Sequence, residues 1–230
     1  GIIAASVGLS NDLTRRCEDA GIPIVLFNRD QFDDRLSSVT SDNMAGGRKL
    51  AEFLVAGGHS RIAHIAGWEG ASTQRDREAG FRQALSEAGR NLHASDVGNF
   101  ETEQTFDAVR RMFSGPRAGI PDAVFVANDH MALAVMECLR SELGLRIPED
   151  VSIVGYDDVD LASWPSFSLT TIRQPSNRMV EATVDTLMDH IRFGKTMPRR
   201  VAIEGPLMVR RSARIPAHWS DQRGPTGLEA

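Results

Sequence analysis

Short β-rich apolar runs alternate with helix-period stretches along almost the whole chain, and no other feature limits the fold as much. Runs at 2–6, 24–28, 39–42, 62–67, 123–128, 152–157 and 169–174 read as strands. Helical spacing fills the gaps near 10–20, 43–56, 73–88, 102–113, 129–143 and 176–193. Gly57-Gly58, Gly89 and Gly144 fall where helix C-caps belong, and Pro23, Pro121 and Pro148 precede the next strands. In the last helical stretch Val180, Val184, Leu187 and Ile191 recur at helical spacing, which predicts a core-facing stripe. Continuous apolar strands separated by helices predict an α/β fold whose parallel sheets are covered on both faces. A chain of 230 residues can supply one large domain or two lobes of this kind.

Charge and cysteine usage remove several functional classes. Twenty-six basic against thirty-one acidic side chains give a net charge of −5, so the chain is not expected to hold DNA by itself. Arg199-Arg200 and Arg210, Arg211 and Arg214 are too scattered to change that. Cys17 and Cys138 form no disulfide framework, which favours a reducing, cytoplasmic setting. No apolar run approaches the roughly 20 residues of a membrane span, so no membrane role is expected. The chain opens mid-strand without a Met, which points to further sequence upstream, and the polar tail from Pro216 is expected to be poorly ordered.

Ligands of open α/β sheets bind outside the carboxyl ends of the strands. Those ends carry Ser6, Asn28, Asp42, Asn128 and Asp157, all polar after apolar runs. Arg75 and Arg77 follow the run at 62–67, and a guanidinium fork there suits hydroxyls, a carboxylate or a phosphate. Phe100 offers an aromatic face. Each has a plainer competing role: the arginines as solvated helix charges, Phe100 as core, Asp157 as a strand terminus. Of the pair Asn128-Asp129, Asp129 reads as the helix cap and Asn128 as the ligand contact. Catalytic and cofactor signatures are missing. "GKT" at 194–196 would need Gly at 189 for a phosphate loop, and Asp stands there. No zinc, nucleophile-elbow or dinucleotide motif occurs, and His59, His64, His93, His130, His190 and His218 are dispersed. His64, alternating into a strand, reads as a core or sheet-surface residue. Asp157, Asp158 and Asp160 lack the partner residues of a Mg²⁺ site. The chain is therefore expected to be no enzyme, and to use no metal and no cofactor.

Five blocks together resemble the effector-binding domain of LacI (lac repressor) family transcription regulators. They are "SDNMAGGRKLAEFLVAGGHSRIAHIAG", "TQRDREAGFRQALSEAG", "AVFVANDHMALAVM", "RIPEDVSIVGYDD" and "LTTIRQP", in family order and spanning nearly the whole chain. The resemblance implies two lobes, each a doubly wound parallel sheet, similar to periplasmic sugar-binding proteins, with a ligand cleft between them. It implies 1–58 plus 174–196 in one lobe, 59–173 plus 197–214 in the other, and a tail at 215–230. Arg77 matches the Arg before "AGF" that holds the effector. Asn128 and Asp157 match polar contacts, Phe100 a stacking aromatic, and Gln174 a cleft residue at the lobe crossing. Ser6 and Arg75 complete the expected site. Counterparts of the family's DNA-binding headpiece and first two strands are absent.

The implied function is sensing of a small-molecule effector, carbohydrate-like, that controls operator DNA binding through a headpiece outside this chain. A periplasmic solute-binding protein for a sugar is the alternative. A homodimer is expected, with the apolar helix at 129–143 as one candidate interface and simple burial of that helix as the competing reading. Arg77→Ala or Asp157→Ala is expected to abolish ligand binding without unfolding the protein.

Overall fold

The computed structural model describes residues 1–8, 12–31, 33–194, 197–217 and 219. In chain order it begins with β1 (Ile2–Ala5), α1 (Asp12–Asp19), β2 (Ile24–Phe27), β3 (Ser37–Ser41) and α2 (Asn43–Ala56). It continues with β4 (Ile62–Ala66), α3 (Ser72–Glu87), β5 (Ala94–Val97), α4 (Thr102–Met112), β6 (Ala123–Val126) and α5 (Asp129–Ser141). The last elements are β7 (Ser152–Asp157), β8 (Thr170–Arg173), α6 (Ser176–Phe193), β9 (Arg200–Ile203) and β10 (Leu207–Met208).

The strands form two sheets, ordered β1-β2-β3-β9 and β10-β8-β7-β6-β4-β5. Every pairing is parallel except β10 with β8. Both sheets have a packed cluster on each face, as continuous apolar strands require. In the first lobe Ala4, Leu26 and Cys17 pack on one side and Val25, Val39 and Met179 on the other. In the second, α4 and α5 cover one face, with Val109, Val135 and Met136 against Val124 and Ile153. There α2 and α3 cover the opposite face, with Leu50, Phe53 and Phe81 against Phe125 and Tyr156. The two-lobed α/β architecture is as expected.

The lobe boundaries differ from the expectation. The expected division puts 1–58 in the first lobe, yet the apolar face of α2 completes the second lobe's core. It also puts 197–214 wholly in the second lobe, whereas β9 pairs with β3 in the first-lobe sheet. Three short connections therefore cross between lobes, at 41–43, 174–175 and 204–206. At the third, a Cβ on Gly205 would collide with the Arg173 carbonyl, so the crossing passes only because the residue is glycine.

Two surface expectations also change. Val180, Val184 and Ile191 of α6 are 51%, 44% and 48% exposed, so of the predicted core stripe only Leu187, half-buried, packs on the first-lobe core. The face that packs on the sheet is Met179, Thr183, Thr186 and His190. Its hydroxyls are satisfied locally, Thr183 Oγ1 on the Met179 carbonyl and Thr186 Oγ1 on the Ala182 carbonyl, each at 2.7 Å. In α5, Met131, Leu133, Val135, Met136, Cys138 and Leu139 are all buried within the chain. Neighbouring elements of the same lobe cover that helix, which removes the ground for reading it as a subunit interface. Much of the tail, 218 and 220–230, lies outside the described residues. Trp219 does not trail away, because its ring meets Phe53 edge-on at 5.3 Å.

Candidate functional site

The residues at the strand ends meet around one guanidinium. Arg77, in the second turn of α3, is only 3% exposed. Its Nε donates to Asn43 Oδ1 at 2.9 Å, Nη1 to the Ala127 carbonyl at 2.7 Å and Nη2 to Asp157 Oδ1 at 3.0 Å. Its Cζ lies 3.7 Å from the centroid of the Tyr156 ring. Asn43 starts α2 just after the first crossing, Ala127 follows β6 and Asp157 ends β7. One buried cation thus joins a crossing to two strand ends.

The second crossing is tied to the same place, and the third is held separately. Gln174 Nε2 donates to Asp157 Oδ1 at 2.6 Å, fixing the second. Lys49 Nζ donates to the Gly205 carbonyl at 3.1 Å, fixing the third. Asp157 itself has φ +124°, a sparsely populated conformation held in place by these partners. A cavity of about 510 Å³ opens here, with Phe27, Asn28 and Met179 from one lobe and Asp157, Gln174 and Arg210 from the other. Another cavity, about 450 Å³, sits at the amino ends of the first-lobe strands beside Ile191, far from these groups in the fold.

Asp158, next to Asp157, is no free carboxylate. Arg173 Nε and Arg210 Nη2 each approach it at 2.6 Å, so two guanidiniums already match its charge. No group of three metal-type side chains occurs among the described residues.

The cap of α5 falls to Asn128 rather than to Asp129. Asn128 Oδ1 accepts from Met131 N at 3.0 Å and caps α5. Asp129 is fully buried and points across the lobe, accepting from Thr171 Oγ1 at 2.6 Å and from Val159 N at 3.0 Å. Burial pushes its carboxyl up to about 7, with the charges of Asp157 and Asp158 adding to the push and the Thr171 hydrogen bond opposing it. Its work is to brace β8 and the turn after β7.

Phe100, with φ +63°, is half-buried and lies over Gly67, where a Cβ would collide with its ring. Behind that turn sits a buried polar chain. Gly67 N donates to Gln74 Oε1 at 2.8 Å, and Gln74 Nε2 lies 3.3 Å from His64 Nε2. His64 Nδ1 bonds the Phe125 carbonyl at 3.0 Å, so its Nε2 is the acceptor from Gln74. Burial lowers the His64 pKa, which keeps the ring neutral. Of the remaining expected residues, Ser6 contributes its carbonyl to Arg29 Nη1 at 3.1 Å, and Arg75 Nε pairs with Asp76 at 2.8 Å without joining the cluster. The structure therefore brings together Arg77, Asp157 and Gln174, sets Asn128 and Phe100 at adjoining strand ends, and leaves Arg75 apart. Asn43 and Tyr156 were not foreseen, because only the fold brings them to Arg77.

Two sheet lobes joined by three crossings, with polar side chains converging on a cavity beside those crossings, define a two-lobed cleft protein. The periplasmic binding protein-like domain family matches residues 51–213. The HTH-type transcriptional regulator CelR of Thermobifida fusca is 36% identical over 92% of this chain and 63% of its own length. The ribose operon repressor of Escherichia coli K12 is 34% identical over 84% of this chain and 58% of its own length. This chain thus spans less than two thirds of these relatives. A solved complex of CelR with cellobiose superposes with a TM-score of 0.85 at 35% identity, over 93% of this chain and 65% of that one. A LacI transcriptional regulator from a Rhodococcus species gives 0.83 at 28% identity, over 93% and 78%. The chain belongs to the LacI family of transcription regulators, within the part that carries the periplasmic-binding-protein-like fold.

Proposed function

We propose that this chain is the effector-sensing part of a transcription repressor that binds a sugar or sugar derivative between its lobes and thereby controls operator binding. The observation that carries the reading is the cavity at the crossings, lined from both lobes and bordered by Asp157 and Gln174. Hydroxyl-rich ligands need such paired donors and acceptors. The relatives are regulators rather than transport proteins or enzymes, and CelR is described in complex with cellobiose. Arg77, Asp157, Gln174, Asn128 and Phe100 form the proposed contact set, with Ser6 and Arg75 at its margin.

Binding to one lobe arrangement better than another supplies a coupling of typically about 1–3 kcal/mol. Operator DNA would be met through a headpiece elsewhere in the protein, since a net charge of −5 gives this part no broad basic surface for a DNA backbone. A cytoplasmic homodimer suits that role, because two-fold symmetry matches a palindromic operator. No described helix is long and apolar enough to cross a membrane.

A thermal-shift panel of neutral sugars, sugar acids and sugar phosphates tests the reading. At 100 times its Kd a ligand adds about 2.7 kcal/mol, a rise of roughly 5–10 °C for a chain of this size. If no member of the panel raises the melting temperature at millimolar concentration, the reading is wrong.

A further inference from the structure

Most arginines around the cleft already have a carboxylate. Arg77 has Asp157, while Arg173 and Arg210 share Asp158. The contacts of Arg29, at the carboxyl end of β2, include no carboxylate among the described residues. Its one hydrogen bond there is Nη1 to the Ser6 carbonyl, and its buried Nε has no acceptor. The guanidinium lies 5.9 Å from the Trp68 ring, a residue of the opposite lobe that is 44% exposed. Burial lowers the Arg29 pKa first, and the charge of Arg77 lowers it further, with no acidic group acting the other way. Beside it, the buried Asn28 Oδ1 lacks a donor, and Asn28 lines the cavity.

A buried donor left without an acceptor is costly, as is an acceptor without a donor. Two such atoms on adjacent residues, one beside a surplus positive charge, describe what should meet them. Asp160, the remaining carboxylate on the cavity wall, is exposed, where water and salt screen it.

We propose that the effector is a polyhydroxylated anion, its charged group seated on Arg29 against Trp68 and one hydroxyl donating to Asn28 Oδ1. The proposal rests on the sugar-sensing reading above and narrows it. Both carboxylate and phosphate have this chemistry: the guanidinium fork accepts either in bidentate fashion. Cellobiose, in the CelR complex, carries no charge, so the inference separates this chain from that relative.

Calorimetric titration of the 230-residue chain with matched pairs tests it: galactose against galacturonate, glucose against gluconate, and glucose against glucose 6-phosphate. At least one anion is expected to bind tenfold or more tightly than its neutral partner, and to weaken as salt rises. Preference among the anionic arms distinguishes carboxylate from phosphate. Arg29→Gln should weaken that anion at least tenfold, and Arg29→Lys, which keeps the charge, should weaken it less. If neutral sugars bind as tightly as their acids, or Arg29→Gln leaves the anion's affinity unchanged, the inference is overturned while the sugar-sensing reading stands. If no sugar in either form binds, both fall.

Discussion

At the residue scale, the buried Asp129 carboxylate gives the clearest stability prediction. Unfolded, it titrates near the usual value of about 3.9; folded, it titrates at about 7. Between those values the folded chain holds a proton that the unfolded chain has released. Stability therefore falls as pH rises through that window, and the whole penalty stands above about pH 7. Three units set a ceiling of about 4 kcal/mol. Asp129→Asn keeps both hydrogen bonds, with its oxygen on Val159 N and its nitrogen on Thr171 Oγ1, and it carries no titration. Urea unfolding at pH 5 and pH 8 should show the wild type losing stability relative to the variant; parallel loss in both would refute this. Arg77 leads to a different expectation from the sequence-based one. Its removal leaves Asn43 Oδ1 without its donor and Asp157 without its ion-pair partner, with the Gln174 amide still bonded to Asp157. Arg77→Ala should then cost about 3–5 kcal/mol, read as a drop in urea midpoint. Loss of ligand binding in that variant would not by itself identify a ligand contact, because the residue also holds the site together.

At the scale of elements, Asn128 shows why capping and binding are hard to separate in sequence. Either Asn or Asp can cap a helix, and "ND" places both at the right point. Only the fold shows that the Asp129 side chain is taken by Thr171 and Val159, leaving the cap to Asn128. Asn128→Ala should lower stability by about 1 kcal/mol, measured by denaturant unfolding. Helices were legible to within a residue or two, because periodicity and glycine caps mark them: 43–56 and 176–193 coincide with α2 and α6. Three strands were not. β5 reads "ASDV" and β9 "RVAI", short edge strands in which only Ile203 is buried, and β10 has two residues. Periodicity also identifies a stripe without saying what covers it, which is why the outward face of α6 read as core. Val180→Ser and Val184→Ser should each change stability by less than about 0.5 kcal/mol in this chain. Met179→Ala, on the buried face, should cost about 2–5 kcal/mol. If the two classes cost the same in denaturant unfolding, the assignment of faces is wrong.

For the whole molecule, the decisive feature is that the lobe crossings and the cavity beside them share residues. Asn43 and Gln174, at two of the crossings, bond to Arg77 and Asp157, so a change in lobe angle disturbs the groups beside the cavity. On the proposed function, a ligand that bonds Asp157 or Gln174 would in turn bear on the crossing that they hold. No sequence pattern could show this, because the crossings are set by which sheet each strand joins. Away from the crossings, two contacts between described residues span the cleft. Asp30 N donates to Ser72 Oγ at 2.8 Å, and Arg29 lies over Trp68. Both require the lobes to be close, so together they favour closure by roughly 1–2 kcal/mol. Removing them in Trp68→Ala/Ser72→Ala should shift the population toward open arrangements. The radius of gyration from X-ray scattering should rise, and effector affinity should fall about 5- to 30-fold by the same free energy. Trp68 also faces the proposed anion site, so Ser72→Ala alone is the cleaner arm. It should move scattering and affinity in the same direction by a smaller amount. If the double variant scatters like the wild type, these contacts do not hold the lobes together, and closure rests on the residues at the crossings alone.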